Sequence, residues 1–465
     1  MNISNELIEK YSIYAFDMIE FPHKSFWGEV SHDDYVSALK DLFKSGDPTT
    51  LYVHIPFCSQ MCYFCLCHFR ITHDYSRIAD YIESLKHEIR SVEWIAEDIN
   101  KWPKITELHL GGGSPTYMRE RDFESLKEEL SINLVDFDKL DEFTIEIDPR
   151  AVGRDRLAFY VENGINRISF GIQDFDIKVQ RAINRVQPPE LVENILSSPA
   201  RRKLKSVNFD LLIGLPNQTL WTVEKTIERV ISMKPDRVAL SYMHFNPRVH
   251  HHQEVMKAGG PLPNFHQRKE MHDAASAQLV GAGYIRTGFE HFALPTDDVA
   301  KAVETGSVKY NSLGATPGRT TNMIGLGVSS YSRITDYHYF QQTYDHAEYA
   351  KAADDRRFAV TRGHHLTGQD LVRREIIQTL RSVFKLNISE IDTRFAVKIR
   401  LMMAREFKIL AEMESDGMVT LGENEITITE AGKNFTNVIC RVFDTYVRGP
   451  NFPDDFFDAE RVSLA

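Results

Sequence analysis

The chain has 465 residues, 42% of them apolar and 11% aromatic, with a formal net charge of −11. That composition excludes a disordered chain and suits a large catalytic domain with a smaller appendage. The acidic balance of mixed signs excludes nucleic acid and anionic lipid as main partners. Residues Met1–Asp17 lack the apolar core of a signal peptide, and no run of about 18 apolar residues is present to span a membrane. Four of the five cysteines fall between Cys58 and Cys67. A secreted disulfide framework spreads its cysteines out, so this clustering points to a metal site in a soluble cytoplasmic enzyme.

The segment before Leu51 holds one amphipathic stretch, Asp33–Phe43, and is expected to cover one end of the catalytic domain. From Leu51, apolar runs alternate with helical patterns. The runs are Leu51–Pro56, Glu107–Leu110, Phe143–Asp148, Arg167–Ile172, Val207–Leu215 and Arg237–Tyr242; helices are predicted at Asp80–Trp94, Asp155–Asn163 and Thr222–Met233. This alternation predicts an α/β fold with a parallel sheet, a partial (β/α)6 TIM-like barrel whose reactive residues sit at the C-terminal strand ends. Cys58, Gly111–Gly113, Glu146–Asp148, Gln173, Asp210 and Met243–His244 all fall at such ends, so they are expected on one rim. Beyond Asp355, helices at Leu366–Phe384 and Phe395–Glu414 precede a hairpin signal around Gly422-Glu423-Asn424 and a further helix, Glu430–Val447. That order predicts a mostly helical, winged-helix-like C-terminal domain with a structural or substrate-covering role rather than DNA binding. The expected organisation is a covering segment over 1–48, the barrel and its extension over 49–350, and the C-terminal domain over 355–465.

In Tyr52-Val-His-Ile-Pro-Phe-Cys58-Ser-Gln-Met-Cys62-Tyr-Phe-Cys65-Leu-Cys67, thiolates at spacings of four and three can each take one corner of a cubane cluster. The fourth iron is then left open. A zinc site with Cys67 or His68 as fourth ligand is the competing reading. The CxxxCxxCxC loop resembles that of the radical S-adenosylmethionine (SAM) superfamily, and in this extended form it is similar to oxygen-independent coproporphyrinogen III dehydrogenase and its relatives. Gly111-Gly-Gly-Ser-Pro-Thr116, Glu146-Ile-Asp-Pro-Arg150, Phe170-Gly-Ile-Gln-Asp-Phe175, Asn184-Arg185, Asn208–Pro216 and Phe443-Asp-Thr-Tyr446 extend the likeness from about Leu51 to Arg448. It implies a [4Fe–4S] cluster on Cys58, Cys62 and Cys65, with SAM chelating the open iron. Tyr52 stands at the place of the family's aromatic beside the cluster. Gly112, Gly113 and Ser114 are expected to offer room and N–H donors to the methionyl end of SAM. Glu146 would accept from its ribose or ammonium, and Arg185 would pair bidentately with its carboxylate. Gln173 and Asp210 carry over as adenosine contacts.

Three segments depart from the dehydrogenase pattern. Tyr14-Ala-Phe-Asp-Met-Ile-Glu-Phe-Pro22 lacks the arginine that a polycarboxylate substrate calls for. Lys309-Tyr310-Asn311 resembles the haem-degrading and C-methylating branch, and Met243 replaces a small residue where the family places a second SAM. These differences lead to the expectation of a class C methylase. There the second SAM would be held by Gly113, Met243, Tyr310, Asn311 and Tyr331, and a methyl or methylene group would pass to an sp² or radical carbon of a natural-product or peptide substrate, by methylation or cyclopropanation. Cys67, His244 and Tyr310 are the candidate catalytic residues, His244 as acid or base. The alternatives are oxidative decarboxylation of coproporphyrinogen III and haem trafficking. The resemblance also implies a flavodoxin- or ferredoxin-type low-potential electron donor, and a monomer. His250–His252 are read as a polar surface loop, and Cys440 as core.

Overall fold

A computed structural model describes residues 4–11, 20–311, 313–448, 451–454, 456 and 457. It divides into two compact units: 28–263 with 319–365, and 1–27 with 264–318 and 366–465. These boundaries correct the division at 48 and 350–355. Segment 264–318 joins the C-terminal unit because its side chains bond there: Asn434 donates to Asp273, and the buried Arg381 pairs with Glu290 at 3.3 Å.

In the larger unit the parallel strands are β1 (Pro48–Ile55), β2 (Lys104–Gly112), β3 (Glu142–Ile147), β4 (Arg167–Gln173), β5 (Ser206–Ile213) and β6 (Arg237–Tyr242). They lie side by side in chain order. Helices between them include α1 (Ser76–Ile99), α2 (Glu120–Asn133), α3 (Arg154–Glu162), α4 (Ile177–Ala182) and α5 (Leu220–Met233). This is the expected (β/α)6 arrangement. Alternate residues serve opposite faces of the sheet. Leu51, Val53, Ile55, Leu108, Leu110, Ile145, Ile147, Ile168 and Phe170 are buried as one apolar layer. Tyr52, His54, His109, Glu146, Ser169 and Asp210 fall in the other phase, and there the chemistry collects.

Four more strands extend the sheet: β7 (Asn322–Leu326), parallel to β1, then antiparallel β8 (Tyr331–Ile334), β9 (His338–Gln342) and β10 (Val360–His365). Gly325 pairs with Tyr52 in the ladder, and a side chain at Gly325 would run into the Tyr331 backbone.

The other unit has its own core, built from Ile376, Leu380, Leu386, Ile399, Leu410, Ile426 and Ile439 among others. A helix (Gly368–Val383), a strand (Lys385–Asn387), three shorter helices and a hairpin (Val419–Leu421, Glu425–Ile428) occur in the winged-helix order. The helix predicted at Phe395–Glu414 is broken at Ala396, whose φ of +53° ends one helix, while Asp392 Oδ1 accepts from the Ile399 N–H and starts the next. That predicted at Glu430–Val447 is shorter, ending at Arg441. Among the described residues no helix is long and apolar enough to cross a membrane.

Candidate active site

The cysteine loop leaves the end of β1 and is held from two sides. Tyr63 N–H donates to Ile183 O (3.0 Å), Asn184 Nδ2 to Met61 O (2.8 Å) and Gln60 Nε2 to Asn184 Oδ1 (2.8 Å). From the other side His252 Nε2 donates to Cys65 O (2.8 Å) and Gln253 Nε2 to Phe64 O (3.3 Å). The histidine run expected as a surface loop therefore supports the cysteines. Cys62 is buried, Cys58 and Cys65 half-buried and Cys67 exposed. Burial, followed by the neighbouring Cys62, Cys67 and Asp148, pushes the Cys58 thiol up to about 12. Iron binding must displace that proton, because the thiolate is the ligand.

Two guanidinium groups meet at Cys62. Arg150 Nη2 and Arg185 Nη1 each lie 3.4 Å from its Sγ, and both pair with Asp148, at 2.7 and 3.4 Å. Burial alone would raise the Asp148 carboxyl, but Arg185 and Arg150 outweigh it and hold it below the usual range. Among the described residues no three His, Cys, Asp or Glu side chains converge on a single ion. A cubane asks for the opposite, three thiolates each on its own iron, and the cation-lined loop fits that donor set.

The glycine run serves by what it omits. A Cβ on Gly111 would stand 2.8 Å from Glu146 Oε1, and one on Gly113 2.9 Å from Cys58 Sγ. Gly112 has φ +119°, which also favours glycine. The expected free donors are not there: Gly112 N–H donates to Glu146 Oε2 (3.1 Å), Gly113 N–H to Ile55 O (2.9 Å) and Ser114 N–H to Phe57 O (2.9 Å). The Ser114 hydroxyl lies 3.1 Å from that of Thr116. Glu146 also accepts from His109 Nε2 at 3.1 Å. Beside it, His54 Nε2 donates to His68 O (3.0 Å), which leaves Nδ1 to accept the Tyr52 hydroxyl at 2.9 Å. Burial lowers His54 to about 4, so this imidazole is neutral, and burial together with Glu146 holds the Tyr52 phenol protonated.

On the next strands, Arg185 places Nε and Nη2 on Gly171 O (3.1 and 2.8 Å). Its fork is thus spent on the backbone, and Nη1 is the arm turned to the cysteine, a correction to the expected bidentate role. Gln173 has φ +65° at a bulge in the β4–β5 ladder. Asp210 accepts from Ser169 Oγ (2.8 Å) and Asn208 Nδ2 (2.7 Å). Burial, with help from the Glu146 charge, pushes its carboxyl up to about 6. Arg150, His54, His109, Ser169 and Asn208 are site neighbours whose roles the sequence does not announce.

Met243 is buried with Val179, Ile183, Leu215 and Met256, against Tyr63 and Phe64 of the cysteine loop. His244 is exposed and Tyr331 half-buried. In the smaller unit Tyr310 is buried, its hydroxyl donating to Thr287 O at 2.8 Å and its ring 5.0 Å from His291. Asn311 Oδ1 accepts from Leu313 N–H, closing a turn. Residues Tyr14–Ile19 lie outside the described residues, as does Ser312. Cys440 is fully buried in the smaller unit's core.

Behind β1, Glu88 of α1 is buried and accepts from Tyr349 Oη (2.6 Å), Gln342 Nε2 (2.6 Å) and Gly327 N–H (2.7 Å). The neighbouring Tyr81 donates to His54 O at 2.7 Å. Burial raises Glu88 from 4.5 to about 7 against the hydrogen bonds that oppose it. Its folded value lies above the unfolded one, so the associated stability is complete below about pH 4.5 and is lost as pH rises through about 7. Glu88→Gln removes the titration, and Gln342 can turn its unpartnered Oε1 to the new amide. The variant is expected to match the wild type in stability to urea near pH 4 and to exceed it by about 3 kcal/mol at pH 8. A difference independent of pH would refute the assignment.

A radical SAM superfamily model matches residues 52–230. The chain is 35% identical over 450 residues to the oxygen-independent coproporphyrinogen III oxidase of Pseudomonas aeruginosa, covering 96% of each. With the enzyme of the same name from Escherichia coli K12 it is 34% identical over 407 residues, 86% of each. The structure of coproporphyrinogen III oxidase (HemN) from Escherichia coli, described as a radical SAM enzyme, superposes with a TM-score of 0.86 at 31% identity, covering 96% of this chain and all of that one. These likenesses overturn the expectation of a methylase acting on a natural product or peptide. Whole-length identity outweighs three local substitutions, and Met243 is accounted for as packing beneath the cysteine loop. As in its superfamily, the cofactors are a [4Fe–4S] cluster and SAM. The chain belongs to the radical SAM superfamily and, within it, to the family of oxygen-independent coproporphyrinogen III oxidases.

Proposed function

We propose that this chain oxidatively decarboxylates coproporphyrinogen III without oxygen, turning two propionates into vinyl groups. The observation that carries this reading is 35% identity over 96% of both chains to an enzyme of that name. When bound, the cluster and SAM supply a 5′-deoxyadenosyl radical after one-electron reduction, able to take a hydrogen atom from a propionate β-carbon. Each propionate then loses CO₂ and passes one electron to an acceptor. Two propionates consume two SAM molecules per substrate. A low-potential one-electron donor protein must reduce the cluster.

The chain's own residues have distinct tasks in this reading. Cys58, Cys62 and Cys65 hold the cluster, and Arg150 and Arg185 lie against the Cys62 sulfur and fix its place. Gly111–Gly113 keep the space beside Glu146 and Cys58 open. Glu146 accepts from SAM, Gln173 and Asp210 face the adenosine, and Tyr52, held protonated, offers a hydroxyl that is already oriented by His54.

An anaerobic assay of the reconstituted protein with dithionite, SAM and coproporphyrinogen III tests this. It should yield two CO₂ and two deoxyadenosine per protoporphyrinogen, with methionine as the other SAM product. Release of S-adenosylhomocysteine, or deoxyadenosine with no CO₂, would sink the reading.

A further inference from the structure

The cysteine loop comes to the surface of its unit between the two segments that hold it. Leu66, next to the ligand Cys65, is 46% exposed. On one side Val186, two residues beyond Asn184, is 47% exposed; on the other, Val249 and Val255, which flank His252, are 49% and 48% exposed. Gly259 and Ala182 of these two segments approach so closely that a Cβ on Gly259 would stand 2.9 Å from Ala182 Cβ. Single exposed apolar residues are ordinary. Four on the cysteine loop and the two segments bonded to it are a concentration of the kind that marks a protein interface.

Charge says what sort of partner fits. Apart from the buried Arg185, residues 58–71, 176–186 and 244–259 carry five basic and two acidic side chains, in a chain whose net charge is −11. Lys178, Arg181, Arg248 and Lys257 are exposed among them. A local basic rim on an acidic protein steers an acidic partner to that face.

The structure assigns this face as the docking site of an acidic, low-potential one-electron carrier protein, which hands its electron to the cluster through the cysteine loop at Leu66. The carrier is oxidised by one electron and the cluster reduced by one. The assignment rests on the radical SAM chemistry of the proposed function, and not on coproporphyrinogen being the substrate.

The test uses the cluster-loaded enzyme, a flavodoxin as carrier and SAM cleavage as readout, so a wrong substrate cannot disguise the result. Lys178→Glu/Arg181→Glu is compared with Arg202→Glu/Lys203→Glu, the same charge change just before β5, at the opposite end of the strands. The first variant should raise the Kd for oxidised flavodoxin about tenfold and slow flavodoxin-driven SAM cleavage in proportion, with a flatter salt dependence. Iron content and dithionite-driven cleavage should stay at wild-type levels, and the control pair should change nothing. Val255→Asp should weaken flavodoxin binding in the same way. Unchanged flavodoxin affinity in both test variants, an equal loss with dithionite, or an equal effect of the control pair would each overturn the assignment.

Discussion

Replacing any one of Cys58, Cys62 or Cys65 with alanine is expected to remove the brown iron–sulfur absorption and to drop SAM cleavage to the background of cluster-free protein. The loop would lose one of the three thiolates that a cubane with one open iron requires. Cys67→Ala is the internal control. Its thiol is exposed, outside the pair of guanidiniums that meet at Cys62, so iron content and the visible spectrum should persist. Iron analysis and the visible spectrum after anaerobic reconstitution decide both. A full cluster in Cys62→Ala, or its loss in Cys67→Ala, would reassign the ligands. The triplet variants should stay folded, because Cys58 and Cys65 are only half-buried and the loop backbone keeps its bonds to Ile183, Asn184 and Gln253.

Much of this site is legible in the sequence because its parts are local. The cysteine spacing, the glycine run and the strand-end residues each declare themselves within about ten residues, and the six apolar runs fall within two or three residues of the strands observed. What is not legible depends on distance along the chain. Arg150 sits inside a recognised motif, yet its task becomes visible only when Cys62, 88 residues away, is beside it. His252 looks like surface until it is found 187 residues from its partner, the Cys65 carbonyl. Glu88 lies in an unremarkable amphipathic helix, and its three donors come from residues 327, 342 and 349. Strands β7 to β9 are only four or five residues long and show no clean period of two, so pairing makes them strands, β7 on β1 and β8 and β9 in turn.

The expectation of a methylase fails for the same reason. Met243 and Tyr310 look substrate-facing from their place in a motif, whereas a position in a motif says nothing of which way a side chain turns. Met243 turns into the apolar cluster under Tyr63 and Phe64, and the Tyr310 hydroxyl is taken by a backbone carbonyl. Such substitutions repack a family member without changing its chemistry.

The second large effect is expected from a single methyl group. At Gly113 a Cβ would stand 2.9 Å from Cys58 Sγ and 3.0 Å from both Phe57 O and Pro56 C. Two of those neighbours are backbone, and the third is the sulfur of a cluster ligand, so Gly113→Ala cannot be accommodated by a flexible side chain swinging away. The strand end at Ile55, which accepts the Gly113 N–H at 2.9 Å, fixes the glycine from below. The thiol must therefore move. Overpacking of this kind costs about 1–3 kcal/mol in stability, whereas displacing a reacting group by about 1 Å costs about 10²-fold in rate. Gly113→Ala should accordingly remain folded by circular dichroism, bind less iron, and turn over at least about 10²-fold more slowly. Gly28→Ala, where a Cβ meets nothing within 4 Å, should match the wild type in all three measurements. A Gly113→Ala protein with full iron and wild-type turnover would show that Cys58 does not carry its iron at the position where this chain holds its sulfur.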